Sequence, residues 1–272
     1  MESKLLAKRI RIDVLKMIHK SGASHIGSAY SIVDILAVLY TNILTYDPSN
    51  PNFDERDRLV LSKGHAGAAL YAALAEIGFF DISFLDSYET NGSCFSGHIS
   101  HKGVPGVEFS TGSLGHGVSV AAGLALAGRL DHKKYKVFAI VGDGEINEGS
   151  FWETVLFAHQ YKLSNFVVII DRNNMQAMGN VADIMDTGNL EEKMKCFGWN
   201  ALTIDGHNHQ EIKEALSKDY GNDYPICIIA NTIKGKGVSF FENSLLWHYR
   251  DPQGDFYEKA LLELNEADTN EE

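Results

Sequence analysis

Short apolar runs alternate with helix-like segments between residues 136 and 230, and this alternation restricts the chain to few folds. The apolar runs are KVFAIV, FVVII, ALTI and PICIIA, and the helix-like segments are SFWETVLFAHQYK, LEEKMKCFG and HQEIKEALSKDY. Strands without polar alternation are buried on both faces, and helices between them imply right-handed parallel crossovers. The sequence therefore predicts an α/β fold, a doubly wound parallel sheet with helices on both faces.

The first half of the chain predicts further elements of the same kind. Residues 1–20 have helical spacing, GASHIGSAY reads as a short polar loop, and Ser31 to Asp34 resembles a capping box before ILAVLY. A strand (RLVLS), two helices (within KGHAGAALYAALAEIG and GVSVAAGLALAGRL) and a long glycine-rich loop at 91–117 follow. No repeat or domain boundary is visible, so we expect a single domain over residues 1–272, ending in a frayed acidic tail, NEADTNEE.

Composition excludes several classes of partner. The chain has 24 Lys and Arg against 36 Asp and Glu, a net charge of −12, which disfavours nucleic acid and anionic membranes. Cys94, Cys196 and Cys227 form no paired motif, which indicates a reducing compartment. Because no apolar stretch approaches the roughly 20 residues of a membrane span, we expect a cytoplasmic protein.

Polar side chains follow two of the predicted strands at their carboxyl ends, where such sheets bind ligands. Gly142-Asp143-Gly144 follows KVFAIV, and Asn173 follows FVVII. The carboxylate of Asp143 would repel a phosphate bound at this glycine turn unless a cation lay between the two groups. Mg²⁺ can do so, because it takes oxygen ligands from both protein and phosphate. The alternative is that Asp143 only accepts backbone hydrogen bonds; a dinucleotide site is disfavoured because GxGxxG is absent here.

The GDG turn, followed about thirty residues later by Asn173, resembles the thiamine diphosphate fingerprint. Other segments narrow the resemblance to transketolase: SGASHIGSAYS, LSKGHAGAALY, SGHISHKGVPGVEFSTGSLGHG and TIKGKGVSFFENSLLWH. The similarity covers essentially all of residues 5–250. It implies a thiamine diphosphate-dependent transfer of a two-carbon ketol unit from a ketose to an aldose, a reaction of carbohydrate metabolism.

The resemblance also implies roles for individual residues. Asp143, Asn173 and the carbonyl of Met175 would hold Mg²⁺ or Ca²⁺, while Gly142 and Gly144 would admit the diphosphate. His65 and His248 would contact the diphosphate and face the reacting carbon. His25 and His98 would assist proton transfer in the substrate channel. Gly112 and Leu114 would lie against the aminopyrimidine and thiazolium.

Ketol transfer needs proton acceptors and donors, so neutral histidines titrating near pH 7 would suit it. Other histidines are expected to be loop residues bonded to backbone: His19, His132, His159, His207 and His209. The roles of His101 and His116 stay open. A zinc site at His98 and His101 is an alternative, although structural zinc usually recruits cysteine and only Cys94 is near.

Transketolases of full length are more than twice as long as this chain. The resemblance implies that the pyrimidine-binding domain with its activating glutamate, and a third domain, reside on a separate chain, in a heterotetramer of two copies of each. Glu148 and Glu153 lie in a region that the family uses at this domain contact; alternatively they form a solvated helix start.

The substrates and the reaction class leave alternatives. Ser24-His25-Ile26-Gly27, Gly97-His98-Ile99-Ser100 and His116 depart from the family pattern in the substrate channel, so pentose phosphates are an expectation and another ketose stays open. The chain could instead be the α chain of a 2-oxo acid dehydrogenase component, or a non-catalytic transketolase-like protein. His25, His65 and His98 together argue against the dehydrogenase component. The intact Asp143, Asn173 and motif histidines argue against a non-catalytic protein.

Overall fold

A five-stranded parallel sheet forms the centre of the computed structural model, which describes residues 1–221 and 223–266. The strands of the sheet are β1 (Arg58–Leu61), β2 (Val137–Gly142), β3 (Phe166–Arg172), β6 (Asn200–Asp205) and β7 (Ile226–Asn231); β4 (Met175–Gln176) and β5 (Gly179–Asn180) form a separate hairpin. The order in the sheet is β1-β2-β3-β7-β6. Gly142 pairs with Asp171, so β2 and β3 end at the same edge.

Helices cover both faces of the sheet. They are α1 (Ser3–Ser21), α2 (Ile26–Tyr30), α3 (Val33–Val38), α4 (Gly67–Glu76), α5 (His116–Leu130), α6 (Gly149–Gln160), α7 (Val181–Ile184), α8 (Leu190–Cys196), α9 (His209–Ser217), α10 (Leu246–Tyr249) and α11 (Asp255–Glu266). A π-helical turn, Leu39–Ile43, continues α3.

Alternate residues of one strand enter different cores. Phe138 and Ile140 of β2 pack with residues of α1, α3 and α4, whereas Ala139 and Val141 pack with residues of α5, α6 and α8. Because β-strand side chains alternate between faces, this arrangement requires a helical layer on each side. The predicted doubly wound fold is confirmed.

Two local predictions near the N-terminus are wrong. The expected polar loop GASHIGSAY contains helix α2, whose five residues are all buried. Ser31 does not cap α3, because its hydroxyl donates hydrogen bonds to Asp171 Oδ2 at 2.7 Å and to the carbonyl of Ser28 at 3.0 Å. Tertiary contacts replace the local cap at this position.

The stretch Ile26–Ile43 is apolar and long enough to satisfy the length and hydropathy criteria for a membrane span, so the expectation that no stretch approaches that length is wrong. Within the fold, 83% of it is buried. Such burial is typical of a core helix. The sequence predicts a frayed tail over residues 265–272. Its first two residues belong to α11, and residues 267–272 lie outside the described part of the chain.

Candidate active site

A cavity of about 350 Å³ lies at the carboxyl edge of the sheet, where β2 and β3 end. Every residue for which the sequence predicts a role in catalysis, cofactor binding or metal binding lines this cavity: His25, His65, His98, Gly112, Leu114, Gly142, Asp143, Gly144, Asn173, Met175 and His248. They come from segments spread over most of the chain. The fold thus assembles one site from all the predicted motifs.

Oxygen atoms suited to a hard cation meet at the end of β2. Asp143 Oδ2 accepts a hydrogen bond from the Asn174 N–H at 2.6 Å, but the buried Oδ1 has no hydrogen-bond partner among the described residues. Asn173 Nδ2 donates to Asp171 Oδ2 at 2.9 Å, which orients the amide, and its Oδ1 accepts from the Met175 N–H at 3.1 Å. Backbone hydrogen bonding therefore accounts for one oxygen of Asp143 and leaves the other oxygen free for a ligand.

The electrostatics of Asp143 point to the same conclusion. Burial, reinforced by the negative charge of Asp171, raises the pKa of Asp143 to about 7. A carboxylate so disfavoured is stabilised by a cation at its free oxygen. Asn173 and Met175 line the same cavity, and a carboxylate, an amide oxygen and a backbone carbonyl are donor types that fit Mg²⁺ or Ca²⁺.

A buried ion pair beneath the cavity was not predicted from the sequence. Lys63 Nζ lies 2.5 Å from Asp171 Oδ2 and 3.1 Å from the carbonyl oxygen of Ser28, and the Lys63 side chain is only 2% exposed. Burial opposes ionisation of Asp171, but Lys63 and hydrogen bonds that include one from Thr232 lower the pKa of this carboxyl. The only sequence signal is the position of Lys63 directly before the Gly64-His65 motif.

A second lysine in the cavity was not predicted either. Lys234 is buried at 2% exposure, lines the cavity, and makes no ion pair with any residue that the structure describes. Burial, and then the charge of Lys63, lower its pKa to about 8. Lys234 lies in the segment TIKGKG, which resembles the family, but the sequence predicted no role for it. The ammonium supplies positive charge that an anionic ligand can use.

Four imidazoles share the cavity. The ring centroid of His25 lies 5.3 Å from that of His65, 5.8 Å from that of His98 and 5.0 Å from that of His248. His25 has a left-handed backbone, with φ of 74°, which is strained for a residue with a Cβ. Hydrogen bonds hold Nδ1 of His25 to Ser24 Oγ at 3.0 Å and Nδ1 of His248 to Ser28 Oγ at 3.3 Å.

Burial controls the charge of three rings, those of His25, His65 and His248. It lowers the pKa of His25 to about 4 and that of His248 to about 3, with smaller contributions from neighbouring histidine and lysine charges. Burial, followed by Lys63, holds the pKa of His65 well below its usual range. The three rings are neutral at pH 7, as expected, but the expectation that they titrate near pH 7 is wrong.

A buried carboxylate fixes the loop that carries Gly112 and Leu114 to the turn at residues 142–145. Glu145 Oε1 accepts hydrogen bonds from the Gly115 N–H at 2.9 Å and from Ser62 Oγ at 2.5 Å. Gly115 has φ of 80°, a conformation that favours glycine. Glu145, for which the sequence predicted no role, joins three of the segments that line the site.

Several other candidates lie outside the cavity lining. His101 pairs with Ser110 Oγ at 2.7 Å, while His116, Glu148 and Glu153 are exposed. The five histidines predicted as loop residues bonded to backbone also lie outside this cavity. For three of them the loop prediction is wrong, because helices α1, α6 and α9 contain His19, His159 and His209. Within residues 1–221 and 223–266, no group of three histidine, cysteine or acidic side chains is arranged to hold a metal, which argues against zinc.

Comparison with known proteins identifies related chains. Residues 2–250 match the family described as transketolase, thiamine diphosphate binding domain. The chain is 42% identical over 259 residues to a 6-deoxy-6-sulfo-D-fructose transketolase subunit of Clostridium sp. (strain MSTE9), covering 95% of this chain and 94% of that protein. It is 39% identical over 263 residues to an apulose-4-phosphate transketolase subunit of Phocaeicola vulgatus, covering 96% and 93%.

Solved structures of longer proteins share the fold. The transketolase of Campylobacter jejuni superposes with a TM-score of 0.88 at 32% sequence identity, covering 97% of this chain. Only 42% of that longer chain is matched. The chain is thus similar in length to the subunits and spans about two fifths of the longer enzyme.

Proposed function

This chain belongs to the transketolase family, as an N-terminal, thiamine diphosphate-binding subunit, and we propose that it holds one half of a divided active site. The reaction transfers a two-carbon ketol unit from a ketose to an aldose. One observation carries the proposal: the buried, unpaired Oδ1 of Asp143 belongs to a cavity shared by four imidazoles. Such a cavity offers both a cation site and uncharged proton acceptors.

The residues at the end of β2 would hold the cofactor's diphosphate through a divalent cation. Asp143, Asn173 and the Met175 carbonyl supply oxygen ligands for Mg²⁺ or Ca²⁺, and the glycines at 142 and 144 leave room for phosphate oxygens. Lys234 adds positive charge, and His65 and His248 line the same region. Bound thiamine diphosphate supplies a thiazolium that accepts the electron pair of the broken carbon–carbon bond.

The histidines would move protons at the substrate's hydroxyl groups. A neutral imidazole accepts a proton through its unprotonated ring nitrogen, and burial keeps His25 in that form at pH 7. The hydrogen bond to Ser24 holds its Nδ1 side. His98 is exposed at the mouth of the cavity and faces the His25 ring edge to face, so the pair can serve substrate oxygens that enter there.

A second chain would complete the site. Large apolar side chains stand exposed on the segments around the cavity: Met178 at 79%, Tyr249 at 62%, Met185 at 57% and Leu246 at 50%. A polypeptide carrying the pyrimidine-binding domain and an activating glutamate would cover them, in an α2β2 heterotetramer. The related proteins that match this chain over nearly their whole length are named as subunits, which supports this arrangement.

The setting of the reaction is also a proposal. Sugar phosphates, as in the pentose phosphate pathway, are the substrate class we propose, with a related or modified ketose as the alternative that the named relatives suggest. All three cysteines are free, which supports the reducing environment of the cytoplasm. The alternative function, a protein without catalysis, would leave the neutral histidines without a purpose.

Replacing the metal ligand tests the proposal. Asp143→Ala removes the unpaired oxygen and should abolish Mg²⁺-dependent binding of thiamine diphosphate, measured by calorimetry, while the chain stays folded. The exposed Asp131→Ala serves as the matched control and should bind like the wild type. Unchanged affinity in Asp143→Ala would show that the cation site lies elsewhere.

A further inference from the structure

Behind the cavity, three side chains from distant parts of the chain meet at the buried carboxylate of Asp34. Arg11 donates two hydrogen bonds to it, at 3.0 and 2.6 Å. His207 Nδ1 lies 2.7 Å from Oδ2 and His209 Nε2 lies 3.1 Å from Oδ1. None of these residues lines the cavity, so the cluster has no direct contact with a ligand there.

The cluster reaches the segment that carries Lys234. The Ile233 N–H donates to His207 Nε2 at 2.8 Å, and Arg11 Nε donates to the carbonyl of Lys236 at 2.9 Å. Both anchoring side chains are themselves fixed by Asp34. The backbone is thus held one residue before and two residues after Lys234.

The tautomer of His207 follows from its partners. Because Nε2 accepts the Ile233 N–H, it carries no proton, and Nδ1 must be the nitrogen that donates to Asp34. The His207 ring therefore links the Asp34 carboxylate to the backbone N–H of Ile233. His209 differs, because its second nitrogen pairs with Ser3 Oγ at 2.8 Å and not with the lysine segment.

Other contacts also hold the lysine segment, residues 232–237: Thr232 Oγ1 donates to Asp171, and the Gly237 N–H donates to Glu242 Oε1 at 3.1 Å. The Gly235 N–H donates to the Gly27 carbonyl at 2.9 Å, and the Lys234 carbonyl accepts from the Asn243 N–H at 2.9 Å. Gly237 has φ of 104°, and a Cβ at this position would lie 2.9 Å from the Arg11 side chain. The segment is shaped to lie directly against Arg11.

We propose that His207 is a positioning residue that, anchored by Asp34, aims Lys234 at the diphosphate of the cofactor. The inference rests on the proposed function, since it assumes that the cavity binds thiamine diphosphate. A long lysine side chain loses conformational freedom when it is held in one direction, and fixing its backbone beforehand lowers that cost at binding. His207 acts through Lys234 and does not touch the cofactor.

The test compares the two histidines that share Asp34. His207→Phe removes both hydrogen bonds of the ring, whereas His209→Phe removes only contacts that do not involve the lysine segment. In the complex of this chain with its partner, with Mg²⁺ present, His207→Phe should bind thiamine diphosphate roughly tenfold more weakly, and the amides at 233 and 235 should exchange with deuterium faster. His209→Phe should match the wild type in both measurements, and His207→Gln, whose amide can donate and accept, should restore both.

Each outcome decides the question. Wild-type exchange and affinity in His207→Phe, or equal losses in both Phe variants, would overturn the positioning role. If His207→Phe does not fold, His207→Gln and His207→Asn make the same comparison, because the shorter amide of Asn reaches Asp34 but not Ile233. Wild-type binding in Asp143→Ala would refute the proposed function instead, while the exchange measurement would still report on the segment.

Discussion

At the scale of single residues, burial sets the protonation states of the site. His25 and His248 stay neutral because charging them inside the cavity is costly, and Asp143 resists ionisation for the same reason. The two effects have opposite consequences for folding. As pH falls below 7, protonation of Asp143 stabilises the folded chain, whereas the histidines bind protons only when it unfolds.

The pH dependence of stability tests this account at His248. Its folded pKa of about 3 lies below the ordinary value of 6.5, so its contribution is complete above 6.5 and is lost as pH falls towards 3. Between pH 7 and pH 5, this single group should lower the free energy of unfolding by at most about 2 kcal/mol, because solvent in the open cavity screens part of the effect. Urea unfolding should show that His248→Asn loses correspondingly less stability than the wild type between pH 7 and pH 5. If the free energies of unfolding of the two proteins change with pH in parallel, the assignment is contradicted.

At the scale of elements, a single turn joins the loop that carries Gly112 and Leu114 to helix α5. The N-cap Gly115 of α5 has φ of 80°, and a Cβ there would lie 2.3 Å from Ser150 Oγ. Its N–H donates to the buried Glu145. The turn therefore fixes Gly112 and Leu114 against the cavity, and only glycine fits it.

Two alanine substitutions in this element should have opposite effects. Gly115→Ala forces a left-handed alanine against Ser150 and should destabilise the chain by more than about 1 kcal/mol, with weaker cofactor binding. Gly123→Ala, in the middle of α5 with no atom within 4 Å of the new Cβ, should stabilise it by about 0.5–1 kcal/mol. Chemical denaturation of both variants measures the contrast; a Gly115→Ala variant as stable as the wild type would refute the role of the turn.

The alternation of strands and helices was enough to predict the sheet, because burial on both faces leaves a local signal in the sequence. The missed features depend on distant partners. Ser31 fails as a cap because it bonds to Asp171, 140 residues away, and α2 forms where all five of its residues are buried. Lys63 and Lys234 look like surface lysines in the sequence, and only the fold reveals that both are buried in the cavity. The cavity residues that were predicted were found through motifs that resemble a family, whereas no role was predicted for Ser28, Glu145, Gln176, Ala177 and Met178.

At the scale of the whole molecule, the site is open on one side. The cavity is lined by Asp143, Asn173 and four histidines, and the segments around it expose Met178, Tyr249 and other large apolar side chains. The transketolase subunits that resemble this chain are of similar length, whereas the matched part of the Campylobacter jejuni enzyme is 42% of its chain. We infer that catalysis requires a second polypeptide.

The native mass of the complex, purified from its own source with Mg²⁺ and thiamine diphosphate present throughout, tests this central claim most directly. The account predicts two copies of this chain with two copies of a second polypeptide, and a mass that includes bound cofactor. Ketol transfer should require both chains. An assembly of this chain alone that lacks cofactor, or one that catalyses ketol transfer fully without a partner, would contradict the divided active site.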